Sequence, residues 1–115
     1  MLPARSRMTA AADFKSTMRH GTRSGRATLV VHVKQTGNAH SMAGFAVSKT
    51  VGGAVIRNRV KRRLRAIMRD VLPTLPQGTA VVVRALPQSA AADFDRLRSD
   101  VSGSVTTAMR KATAV

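Results

Sequence analysis

Apolar residues recur at two different spacings along this chain, and the switches between them mark its elements. Val60, Leu64, Ile67, Met68 and Val71 fall at helical intervals. They predict an amphipathic helix that opens at Gly52-Gly53, runs to about Val71 and is closed by Pro73. Phe94, Leu97, Val101, Val105, Ala108 and Met109 repeat the pattern and predict a final helix from about Asp93 to Ala112. Asp93 and Asp95 at its start, with Arg110 and Lys111 at its end, suit the helix dipole. Phe14 and Met18, one turn apart, predict a shorter helix capped by Thr9 and ended near His20 by Gly21. Between the helices, Thr28–Lys34, Met42–Ser48 and Thr79–Ala85 are β-rich and predict three strands. The first two are separated by a Thr-Gly-Asn turn region and read as an antiparallel hairpin. The third is introduced by Pro76-Gln77-Gly78 and broken by Pro87, and Ser89–Ala92 reads as a linker. The order α-β-β-α-β-α describes a single α+β layer domain over residues 1–115. Residues 1–8, polar and basic, are expected to form an extended, flexible start.

Charge then narrows the partners. The chain has 115 residues, 20 Lys and Arg against 5 acidic side chains, all Asp, and a formal net charge of +15. Such self-repulsion is tolerated when a polyanion neutralises it. Hydrophobic residues make up 43% of the chain, too many for a disordered basic tail. Nucleic acid and an anionic membrane are the candidate partners. Membrane is the weaker, because no apolar run approaches the roughly 20 residues needed to span one. The start, MLPARSRM, has charges but no apolar stretch behind them, so no signal peptide is expected. The absence of Cys removes disulfides and thiolate zinc motifs and suits a cytoplasmic protein. His20, His32 and His40 have no metal-ligand spacing, so no metal site is expected.

Seven cationic side chains lie between Arg57 and Arg69, and no carboxylate occurs between Asp13 and Asp70. At about 100° per residue, Asn58, Arg62, Arg65 and Arg69 form one stripe off the apolar arc. Arg57 and Lys61 flank that arc on the same side. A docked helix that presents guanidinium groups in a row is suited to holding phosphates. A merely solvated charged face would normally alternate its cations with carboxylates, and here those are missing.

The stretch Gly44 to Arg69, GFAVSKTVGGAVIRNRVKRRLRAIMR, closely resembles the signature of the bacterial ribonuclease P protein subunit. An ADF followed by RHG near the start, the VVV strand and the last amphipathic helix extend the resemblance over roughly residues 5 to 112. The resemblance implies a protein that binds a large catalytic RNA and the 5′ leader of precursor tRNA. The holoenzyme removes that leader with Mg2+ held mainly by the RNA, so no residue of this chain is expected to be catalytic. Arg57, Asn58, Arg59, Lys61, Arg62, Arg65 and Arg69 would then face the catalytic RNA. Phe14, Met18 and His32 would line a cleft for the leader, with Ser48 and Lys49 at its rim. Met18 and His32 stand where the family commonly has aromatics, and Thr50 replaces a second lysine. The resemblance also implies a left-handed crossover through the basic helix, against the usual right-handed rule, and a monomer in a 1:1 complex with the RNA.

Plainer readings stand beside these. Phe14 suits a core as well as a cleft wall, and His32 suits a half-exposed strand position. Asn58 can cap or turn a chain as well as touch RNA. Gly52 and Gly53 match no phosphate-loop motif and suit a tight turn into the helix. Asp93, Asp95 and Asp100 splay around a helix and do not form a two-metal nuclease centre. A structural RNA-binding protein of ribosomal type shares the size and charge of this chain and is the competing function. A self-sufficient nuclease lacks any acid–base or metal constellation.

Overall fold

One strand that the apolar pattern does not announce joins the predicted elements. The structure, a computed structural model, describes residues 2–113. Helix α1 spans Ala11–His20, strand β1 Thr22–Gly25, β2 Leu29–Gln35 and β3 Met42–Ala46. Helix α2 spans Ala54–Val71, β4 Thr79–Ala85 and α3 Phe94–Thr113. The class is α+β, with one mixed four-stranded sheet and three helices.

The sheet order is β1-β2-β4-β3, which corrects the expected hairpin: β2 and β3 are not neighbours. β4 lies between them, antiparallel to β2 and parallel to β3. The reason is its composition. Val81, Val82 and Val83 are an unbroken apolar run, and a strand apolar on both faces is stable only where both are covered. All three are fully buried. β3 reaches its parallel neighbour through α2, so the basic helix is the crossover and its docked face is set by the sheet.

Leu29, Val31 and Val33 of β2 and Val81 and Val83 of β4 meet Val60, Leu64, Ile67, Leu97 and Val101 in the main core. The opposite sheet face carries a smaller cluster, Met8, Ala80 and Val82, against which Phe14, Met18 and Met42 pack. Gly44 of β3 makes room for that layer. A Cβ there would lie 2.6 Å from two ring carbons of Phe14, so the ring rests directly on the β3 backbone. Gly78, at φ +79, supplies the left-handed turn into β4.

Three local expectations are corrected. Thr9 does not cap α1: the N-cap is Ala10, without a side-chain hydrogen bond. Of the expected flexible start, residues 2–8 are seated rather than extended and free, and Met1 lies outside the described residues. Leu2 is buried in the main core, Ala4–Ser6 form a 3-10 turn, and Met8 N–H donates to the Ala43 carbonyl at 2.8 Å. β1, the added strand, is held by pairing with β2 and by Thr22 Oγ1, which donates to the Ala108 carbonyl of α3 at 2.8 Å. The start of α3 matches its reading, since Asp93 Oδ1 accepts the Arg96 N–H at 2.8 Å.

Asp100 ties α3 to the residue before β2. Its carboxylate is buried and accepts from Thr28 Oγ1 at 2.6 Å and from Arg96 Nε at 3.2 Å. Burial alone would raise its pKa, but the Thr28 hydroxyl and Arg96 outweigh burial and hold it below the ordinary value. A lowered folded-state pKa means stabilisation that is present above the unfolded value of 3.8 and lost as pH falls through the folded value. Asp100→Asn should therefore cost about 1–3 kcal/mol at pH 7, and less once the pH is brought below the unfolded value of 3.8. Urea melts above and below that value check this, and an equal loss at both would contradict it.

Candidate nucleic-acid interface

The docking of α2 decides which of its cations can meet a ligand. Val60, Leu64, Ile67 and Met68 are fully buried, so the opposite arc of the helix faces outward. On that arc Asn58, Lys61, Arg62 and Arg65, with Ala66, line one side of a groove of about 480 Å³. Arg7 lines the other side. It is placed there by a parallel bridge to Ala43 and by its own Nε, which donates to the Leu2 carbonyl at 3.0 Å. Four cations thus surround one groove that no carboxylate lines. Their mutual repulsion favours an anion between them, and an RNA backbone supplies one phosphate per nucleotide. Asn58 adds an amide that can both donate and accept. The role of Arg7 was not readable in the sequence, because it depends on the tertiary seat of Leu2.

The remaining basic residues of the helix go elsewhere. Arg59 does not join the groove: it is half-buried, and its guanidinium donates to the Ala90 carbonyl at 3.1 Å. Arg63 likewise donates to the Ala92 carbonyl at 3.0 Å. At about 100° per residue both lie on the other flank of the apolar arc, where they clamp the segment leading into α3. Arg57 is half-buried, with an Nε–H that has no hydrogen-bond partner. Arg69 is exposed one turn beyond the groove, with its Nε 3.5 Å from Asp70.

The expected second surface is only partly assembled. Phe14 and Met18 line a shallow depression of about 720 Å³ together with Thr9, Ala11, Lys15 and Arg19. An apolar floor flanked by two cations suits a single strand, whose bases stack while its phosphates meet charge. His32 does not line it. The residue is only 5% exposed, and both ring nitrogens are enclosed without a partner. Burial, then Arg84 and Arg23, lower its pKa, so the imidazole is neutral at pH 7 and brings no cation to a ligand. Ser48 and Lys49 lie exposed in the β3–α2 turn, where Ser48 and Thr50 hydroxyls are 2.7 Å apart. Ser48 and Thr50 border a different groove, with Arg84 and Leu86. Arg84 alternates with Val83 in β4, a polar position on a buried strand that was a readable signal.

Among the described residues no group of three or more His or carboxylates could hold a metal ion. Asp100 is engaged by Thr28 and Arg96, and Asp70 lies between Arg69 and Arg98. No helix among the described residues is long and apolar enough to cross a membrane.

Comparison with known proteins identifies the family. Residues 2–109 match the family model described as Ribonuclease P. A ribonuclease P protein component from Kocuria rhizophila is 48% identical over 111 residues, covering 96% of this chain and 98% of that protein. One from Beutenbergia cavernae is 51% identical over 107 residues, covering 92% and 90%. The RNase P protein of Thermotoga maritima superposes with a TM-score of 0.74 at 26% identity, covering 84% of this chain and 92% of the other. That of Staphylococcus aureus gives 0.79 at 23% identity, covering 90% and 94%, and speaks to the fold. The chain belongs to the ribonuclease P protein family.

Proposed function

We propose that this protein binds the catalytic RNA of ribonuclease P in the groove between α2 and the seated N-terminal segment. It holds the 5′ leader of precursor tRNA along the Phe14–Met18 face of α1. The observation that carries the first part is the convergence of Arg7, Lys61, Arg62 and Arg65 on one groove without a lining carboxylate. In this reading, cleavage of the leader belongs to the RNA and the Mg2+ it holds, as the family resemblance implies. The protein's contribution is charge and shape: it neutralises backbone phosphates and keeps an unpaired strand close to the RNA. One protein copy per RNA suffices for this, because the groove is built within a single chain.

Salt dependence tests the RNA groove. Arg62→Ala and Arg65→Ala should each weaken binding to the transcribed catalytic RNA. Each should also flatten the log–log salt slope by about 0.7–0.9 for every phosphate that is no longer neutralised. Arg63→Ala, whose guanidinium is spent on Ala92, should leave the slope unchanged. If Arg63→Ala flattened the slope and Arg62→Ala did not, the groove would be on the wrong flank of the helix.

A further inference from the structure

Val55 has no role in the fold. It is 82% exposed, the one large hydrophobic side chain so exposed among the described residues, while Val60, Leu64, Ile67 and Met68 of the same helix are fully buried. An exposed β-branched residue in the first turn of a helix costs helix propensity relative to alanine and gains no burial in return. Its direction is informative. Val55 precedes Asn58 by three residues and Arg62 by seven, so all three lie on one face of α2. Two of them line the cationic groove.

A lone apolar side chain beside such a groove fits one kind of partner. A second copy of this chain would bring its own cations against Arg62 and Arg65, and the net charge of +15 opposes that pairing. An anionic polymer with apolar faces does not meet this repulsion. RNA offers such faces where a base is unstacked or where the ribose is turned outward. We propose that Val55 packs against the face of an unstacked base or a ribose of the same RNA whose phosphates occupy the groove. The contact adds a shape-dependent, uncharged element to a surface that is otherwise electrostatic. This inference rests on the RNA-binding role of the α2 groove.

The test uses the full chain and the transcribed catalytic RNA, with Val55→Ala, Val55→Ser and Arg62→Ala measured across a salt series. Val55→Ala should weaken affinity about three- to tenfold, equivalent to roughly 0.7–1.4 kcal/mol. Its salt slope should stay that of the parent protein, because an uncharged contact releases no counterions. Val55→Ser should weaken binding at least as much. The melting temperature of Val55→Ala should be unchanged or higher, since alanine is the better helix former. Unchanged affinity in both Val55 variants, alongside a weakened Arg62→Ala, would overturn the Val55 contact and leave the groove standing. Parent protein that fails to bind the RNA would instead overturn the groove itself. Concentration-dependent dimerisation of the free protein, abolished in Val55→Ala, would reassign the residue to a protein contact and also overturn the proposal.

Discussion

Leu64→Ala should remove about 2–5 kcal/mol of folding free energy, a large share of the roughly 5–15 kcal/mol expected of a small domain. Leu64 is fully buried, at the centre of the docked face of α2, in one cluster with Val31, Val83, Leu97 and Val101. Truncation there leaves a cavity between helix and sheet that neither can close without shifting the other. The neighbouring Arg65→Ala removes only a side chain of the groove and should cost little stability, while weakening RNA binding. The two adjacent positions therefore separate folding from function on a single helix. Thermal melts should place Leu64→Ala roughly 10 °C or more below the parent protein, with Arg65→Ala within a few degrees. A fall in Arg65→Ala equal to that of Leu64→Ala would mean that the apolar and cationic arcs are wrongly assigned.

The facing of α2 was legible because Val60, Leu64, Ile67 and Met68 repeat at helical spacing, and a docked helix has little choice of face. The same wheel places Arg59 and Arg63 on the far flank of the apolar arc, so residue spacing alone already separates them from Arg62. What hid that separation was the compactness of the RNRxKRR run, which reads as one charged unit until each residue is given its own angle. β1 was not legible at all. Its sequence, Thr-Arg-Ser-Gly, has no apolar alternation, and its stability comes from pairing with β2 and from the Thr22 contact to α3. The mistaken hairpin has a different origin. The link from β2 to β3 is short enough for a hairpin, and chain proximity is a fair guide to pairing. The covered position beside β2 instead went to Val81–Val83, because burying that run on both faces removes more apolar surface from water. His32 illustrates the limit of alternation. It faces away from Val31 and Val33 as expected, but what covers that second face is a tertiary matter.

The proposed leader surface offers the second large expected effect. Phe14 is half-buried, packs against the small cluster of Met8, Ala80 and Val82, and also lines the depression on α1 with Met18. It therefore packs the small cluster while leaving part of its ring on an open depression. If a leader base stacks on its ring, Phe14→Ala should cost about 1–3 kcal/mol per base, or roughly fivefold to a hundredfold in affinity. The loss should appear with precursor tRNAs carrying long leaders and vanish with mature tRNA, which has no leader to hold. Phe14→Leu keeps much of the packing volume and removes the ring, so it separates stacking from folding once circular dichroism and melting confirm a folded variant. Gly44→Ala approaches the same question from beneath. Its added Cβ would come within 2.6 Å of the ring and 3.1 Å of Met8 Cβ, so the ring must lift or tilt and Met8 must give slightly, with no change to the chemistry of the ring. Leader-dependent affinity should fall in this variant too, while affinity for the catalytic RNA alone should hold, because neither Gly44 nor Phe14 lines the α2 groove. The measurement is holoenzyme affinity for substrates of graded leader length at fixed salt. Equal losses for long and absent leaders in folded Phe14→Leu would remove Phe14 from the leader path. A loss that grows with leader length up to the reach of the α1 depression and then levels off would place the strand across it.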